Sequence, residues 1–254
     1  MDPTITDTVL IAAITFFAAL AQGATGFGFA IIALPLLLLV MGSLDAVWLT
    51  IILSLLVSLV LVPGLWRQAP RGPVARLAVG SALGFPIGLV IFLQANLDWV
   101  RLAVGVVILF LAAWLALSCR RAATIQTREA AAQWPEVAVG ILSGAMTTAL
   151  AMPGPSVMLY LSARGMAKVP LRACTLCLFA LSYGAALALQ VAFGAIGGQI
   201  GWTAASAALP TLLGAFLGQR LSVRLDEGLF RSLVLTILLA TGAYTTLLAI
   251  LPWF

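Results

Sequence analysis

Gln22-Gly23-Ala24-Thr25-Gly26-Phe27-Gly28 and Ala151-Met152-Pro153-Gly154-Pro155-Ser156 decide the fold of this chain. Each stretch interrupts a run too hydrophobic to be a surface loop. The backbone must therefore open within apolar surroundings. Open backbone at membrane depth is tolerated only where it is buried in protein or lines a cavity. One such break stands near the head of each half of the chain.

The composition around the breaks agrees. The chain has 254 residues, 63% hydrophobic and 8% charged, whereas a soluble domain carries about 25% charged residues. An all-α, polytopic integral membrane protein is expected, in contact with the lipid bilayer along its length and with no separate soluble domain. The acidic start Met1-Asp2-Pro3 reads against a signal peptide, whose first region is basic, so the first helix is expected to stay in the mature protein. The formal net charge of +5 does not point to nucleic acid. The basic residues sit in short loops, where they orient a membrane protein. Of the three cysteines, Cys174 and Cys177 lie in an apolar run, and the chain has no histidine. No metal site and no cofactor are expected.

Apolar runs between charged or Gly/Pro punctuation give ten helical pieces, at 5–21, 28–41, 45–66, 74–94, 98–118, 136–151, 155–163, 171–193, 201–219 and 228–251. A full crossing needs roughly 17–25 residues. The pieces 28–41 and 155–163 are short, and each follows a break. The reading is that 5–41 and 136–163 are helical hairpins with their tips in the membrane, giving eight to ten helical segments in all. If each broken segment crossed once, the two sides would carry 6 and 7 basic residues. If each returns to its own side, all 13 but Arg101 share one face. Such a split fits the positive-inside rule and places both termini outside the cytoplasm. Two short full crossings per half fit the charges equally well.

The chain also repeats. Residues 80–117 slide onto 210–247 without a gap, with 8 identities in 38, among them Gly84/Gly214, Gly88/Gly218 and Arg101/Arg231. Residues 1–118 then form a first transmembrane repeat, 119–134 a cytoplasmic linker and 135–254 a second, inverted repeat. Each repeat holds a broken hairpin plus three crossings. Three is odd, so the halves have opposite orientation, the plan of many secondary transporters.

A broken hairpin leaves backbone N–H groups free at the start of its second helix. Those groups and the helix dipole favour an anion. Gly26 and Gly28 would let a ligand approach the backbone, and Thr25 and Ser156 would add hydroxyl donors. Pro155 suits the first helical position. Gln22, Thr147 and Thr148 lie beside the breaks, and Tyr160 lies one turn beyond Ser156. Small residues also serve helix packing, which is the ordinary role of Gly80-x-x-x-Gly84-x-x-x-Gly88 and Gly214-x-x-x-Gly218. These ridges are also the only interface signal for a homodimer. Every carboxylate lies at a helix end or in a loop, and no charged residue is expected at the midplane. Intramembrane cation and proton sites ordinarily need such groups. A hydrolase would need an activated nucleophile or a metal, and the chain supplies neither constellation, so it is not expected to be an enzyme.

The stretch Gly23-Ala-Thr-Gly-Phe-Gly-Phe-Ala-Ile-Ile-Ala-Leu-Pro35 resembles the N-terminal signature of the TauE/SafE sulfite exporter family. Gly140-Ile-Leu-Ser-Gly144, Pro153-Gly-Pro155 and Tyr160-Leu161 resemble its second-half counterpart. The resemblance implies a bacterial cytoplasmic-membrane transporter of sulfite or other small sulfur-containing anions such as sulfonates. It marks Gly23, Gly26, Gly28, Pro153, Gly154 and Pro155 as site residues. Glycine-rich members continue with glycine where this chain has Phe27 and Phe29, whose rings would narrow or gate the site. An anion channel of the same fold and a non-transporting membrane subunit are the alternatives.

Overall fold

The computed structural model describes residues 5–118, 134–193 and 198–221. The expected tenth helix at 228–251, nearly all of the linker, Cys119 and Arg231 lie outside these residues. The described residues form nine α-helices: α1 (Ile5–Thr25), α2 (Phe29–Met41), α3 (Asp45–Leu61), α4 (Arg71–Gln94), α5 (Leu97–Ser118), α6 (Trp134–Leu150), α7 (Gly154–Ala163), α8 (Lys168–Phe193) and α9 (Gly198–Leu221). Two 3-10 turns, Val62–Gly64 and Trp66–Gln68, follow α3. Among the described residues, five helices are long and apolar enough to cross a membrane. The chain is an all-helical, polytopic membrane protein.

Helix ends depart from the sequence reading for local reasons. α3 stops before Pro63 and Gly64, and the expected last turn of the piece is 3-10 instead. α4 and α8 start three residues early. Pro73 and Pro170 stand in their first turns, where the missing N–H has no intrahelical partner to lose. α1 continues through Gly23 to Thr25, so Gly23 belongs to the helix and not to the open backbone.

Two long pairings frame the fold: α4 lies along α6, and α1 along α9. Glycine makes both possible. A Cβ at Gly84 would meet the Ile141 carbonyl, and one at Gly88 the Ala145 carbonyl. A Cβ at Gly214 would meet the Phe16 carbonyl, and one at Gly218 the Leu20 carbonyl. Gly23 likewise lies against the α9 backbone at Ala215. Between lipid-facing helices this close packing replaces hydrophobic drive. The glycine ridges are thus consumed within the chain and signal no second copy. α3 and α8 cross between the two pairs.

The two breaks share one backbone solution. Gly26 has φ +85°, and its N–H bonds to Gln22 O at 2.7 Å. Ala151 has φ +54°, and its N–H bonds to Thr147 O at 2.9 Å. Each is the left-handed residue that closes a helix C-terminus. Gly28, with φ +108°, then turns the chain into α2. Glycine adopts these angles without strain, and alanine does not.

Two expectations follow. Leucine at Gly84 or Gly214 drives a side chain into a neighbouring backbone carbonyl and costs about 3 kcal/mol or more, whereas Gly201→Ala, with open space around its Cβ, is neutral. Melting of the detergent-solubilised protein compares them. Gly26→Ala lowers the same melting temperature, by about 1–2 kcal/mol of strain. Ala151→Gly does not lower it, because it relieves strain of the same kind.

Candidate functional site

The carbonyls at the end of α1 must find partners away from water. Thr25 meets two needs at once: its hydroxyl lies 2.8 Å from Ala21 O and 2.6 Å from Phe27 O. The other partners come from α8. Arg172 donates to Gly23 O, and the Thr175 hydroxyl lies 3.3 Å from Gly26 O. A cation at a helix C-terminus also complements the dipole.

The second break is held in the same way. Tyr183 donates its hydroxyl to Ala151 O at 3.0 Å, and Gln190 donates its amide to Thr148 O at 2.8 Å. Ser143 donates to Pro153 O at 2.9 Å. Residues 172, 175, 179, 183 and 190 share one face of α8 by helical spacing. Thr175 and Tyr183 are eight residues apart, so the two anchor points lie about 12 Å from each other along the axis. The midpoint of α8 falls between them.

At that level a small pocket separates the two tips. Its wall is Gln22 and residues 28–31 from the first half, and Met152, Gly154, Phe179 and Tyr183 from the second. The volume open to the centre of a water-sized sphere is about 10 Å3, the room of one water molecule. The lining carries no charge. The first turn of α2 contributes residues 29–31 to it, and no side chain caps that helix. Gly154 opens α7, also uncapped by a side chain, and its missing Cβ would stand 3.2 Å from the Phe179 ring. A Cβ at Gly28 would meet nothing within 4 Å, whereas one at Gly26 would meet the Arg172 side chain.

The cavity therefore gathers Gln22, Gly28 and Gly154 of the sequence-selected residues. Gln22 is fully enclosed and donates to Ser58 at 3.3 Å. Gly26 and Thr25 shape the turn beside it, and Gly23 packs against α9. Phe27 is half-buried against the core and does not line the cavity. Pro153 and Pro155 are buried at the start of α7. Thr147 donates to Ser143 O at 2.6 Å, and Thr148 to Phe85 O at 3.0 Å, so both hydroxyls serve helix packing. The Ser156 hydroxyl is buried without a partner and lies outside the lining. Tyr160 is turned to Arg164, whose guanidinium donates to its hydroxyl at 3.0 Å.

Three features differ from the sequence reading. Arg172, one of the basic residues expected in short loops, lies in α8 and stands at the first break, so that tip carries a fixed positive charge nearby. Glu136 is buried and paired with Arg76 of α4. Phe179 and Tyr183 line the cavity, and neither was selected. Their signal was there: Thr175, Tyr183 and Gln190 are polar residues recurring on one face of an apolar helix. Arg101 lies at the far end of α2, donating to Leu38 O at 3.3 Å with Asp98 at 3.7 Å. Among the described residues no cluster of His, Cys, Asp and Glu is suited to a metal.

Neither a curated protein nor a solved structure matches the chain. A family model does: sulfite exporter TauE/SafE matches residues 11–245, nearly the whole length. With its apolar crossings and a neutral cavity between two broken helices, the chain belongs to the TauE/SafE sulfite exporter family of membrane transporters and is not an enzyme.

Proposed function

We propose that this protein is a secondary transporter that exports sulfite or a small organosulfonate across the bacterial cytoplasmic membrane. The anion binds between the first turns of α2 and α7. The observation that carries this reading is the cavity itself. Two helix N-termini without side-chain caps border it from the two halves of the chain, and no carboxylate lines it. Free N–H groups and two positive dipole ends suit an anion. A neutral lining lets the anion leave again. The proposed ligands are the N–H groups after Gly28 and the N–H of Gly154 itself, since Pro155 has none, with Gln22 beside them.

The halves are proposed to be inverted repeats, 1–118 and 135–254, joined by a cytoplasmic linker at 119–134. The contacts support this. Gly84 and Gly88 of α4 meet Ile141 and Ala145 of α6, and Gly214 and Gly218 of α9 meet Phe16 and Leu20 of α1. Gly26 and Ala151, the two left-handed residues, occupy the matching place in each hairpin. Inversion places the two tips on opposite sides of the midplane with the cavity between them. Both termini then lie on the periplasmic side. The room for one water favours a carrier that opens to one side at a time over an open channel. A sulfite ion is larger than that space, so transport requires the tips to part.

Purified protein in proteoliposomes tests the proposal. Radiolabelled sulfite flux is expected to saturate and to be inhibited by sulfonates. Arg101→Glu is expected to keep sulfite affinity within about twofold, because its carbonyl partner Leu38 lies ten residues, about 15 Å, along α2 from Gly28. Gly28→Leu fills the cavity and is expected to abolish flux. A folded Gly28→Leu protein with normal flux would remove the cavity from the pathway. Large unitary currents would make the protein a channel.

A further inference from the structure

Tyr183 ties two things together that substrate entry must separate. Its ring lies in the cavity wall against Phe179, with centroids 5.9 Å apart. Its hydroxyl donates to the carbonyl of Ala151, the described non-glycine residue held at positive φ. Met152 and Gly154, the next cavity residues along the chain, follow directly from that carbonyl. The cavity holds about one water, so an oxyanion fits only when its walls part. Movement of the second tip away from α8 would stretch the Tyr183–Ala151 bond. Beside the phenol stands Ser54 of α3, fully buried.

We infer that Tyr183 is a substrate-sensing residue of the anion site: its hydroxyl exchanges the Ala151 carbonyl for a substrate oxygen, so that binding an oxyanion unlatches the second hairpin. The inference rests on the proposed site between α2 and α7. In the closed state the phenol satisfies the carbonyl of Ala151, the residue that follows α6. When the anion arrives, the same hydrogen is donated to an anionic oxygen, a stronger acceptor than a neutral carbonyl. The Ala151 carbonyl loses its partner, and the strained residue is free to change conformation. No proton is transferred, and the phenol stays neutral. Binding energy for one ligand class is thereby linked to movement of one tip, as a conformational switch requires. Halides, which present no oxygen framework to span the α2 N-terminus and the phenol together, gain less from this exchange.

The test uses the full chain labelled with 3-fluorotyrosine. The sequence has three tyrosines, Tyr160, Tyr183 and Tyr244, so three fluorine resonances are expected. Tyr183→Phe identifies its own signal. If that variant does not fold, Tyr160→Phe and Tyr244→Phe identify it by elimination. Saturating sulfite is expected to shift the Tyr183 resonance, while chloride at equal ionic strength leaves it in place. In proteoliposomes Tyr183→Phe is expected to raise the half-saturating sulfite concentration about tenfold, the loss of one hydrogen bond to a charged group, and to lower the melting temperature, because the Ala151 carbonyl loses its donor. An unmoved Tyr183 resonance in protein that transports sulfite overturns the inference and leaves the transport reading standing. Unchanged half-saturation in folded Tyr183→Phe does the same. Wild-type protein that neither binds nor carries sulfite overturns both.

Discussion

Helix ends inside an apolar medium must find hydrogen-bond partners, and most of this structure follows from how two of them do so. The last turns of α1 and α6 expose carbonyls with no intrahelical donor. In water those groups would be solvated. Here the donors come from one face of α8: Arg172 and Thr175 for the first break, Tyr183 and Gln190 for the second. An unsatisfied carbonyl at that depth costs several kcal/mol. The donors therefore fix where each hairpin turns, and the spacing of the donors along α8 fixes how far apart the turns lie. The cavity is what remains between them.

The glycine ridges serve the same geometry at longer range. Close approach of α4 to α6 and of α1 to α9 leaves no freedom in the first helix of either hairpin. Those helices carry the C-terminal ends that α8 receives. The second helices, α2 and α7, are short and begin at the cavity, so their N-termini point where the first helices stop. C-terminal carbonyls face α8 and N-terminal N–H groups face the cavity. Helix direction would set the polarity of the proposed anion site without a charged lining. Arg172 neutralises a helix end and does not face the cavity.

Much of this was legible in the chain. The nine described helices match nine of the ten pieces read from apolar runs, because Gly and Pro punctuate membrane helices strongly. The breaks were legible for the same reason. Individual roles were less so. Gly23, Gly26 and Gly28 look alike in sequence, yet Gly23 admits the α9 backbone, Gly26 supplies a left-handed angle, and Gly28 opens on the cavity. Which role a glycine plays depends on what stands opposite its missing side chain, and that is a tertiary fact. Thr147 and Thr148 lie beside a break in sequence but turn their hydroxyls to carbonyls of α6 and α4. Phe179 and Tyr183 lie in an unbroken helix and carry no Gly/Pro mark. Only the polar periodicity of α8 pointed to them, and it reads equally well as ordinary interhelical bonding.

The two tips also differ in a way that bears on which one moves. The first has glycine at its left-handed residue, a hydroxyl in the turn itself and a guanidinium on its last carbonyls. The second has alanine at the equivalent place, a phenol on that carbonyl, and the Gln190 amide and Ser143 hydroxyl on its neighbours Thr148 O and Pro153 O. Alanine held at positive φ stores on the order of 1 kcal/mol, and a neutral phenol–carbonyl bond is weaker than one from a guanidinium. The first tip thus has one charged contact beside its neutral ones, whereas the second has neutral contacts alone. If the proposed site must open before an oxyanion fits, displacing the hairpin of α6 and α7 breaks neutral hydrogen bonds alone, that of Tyr183 among them.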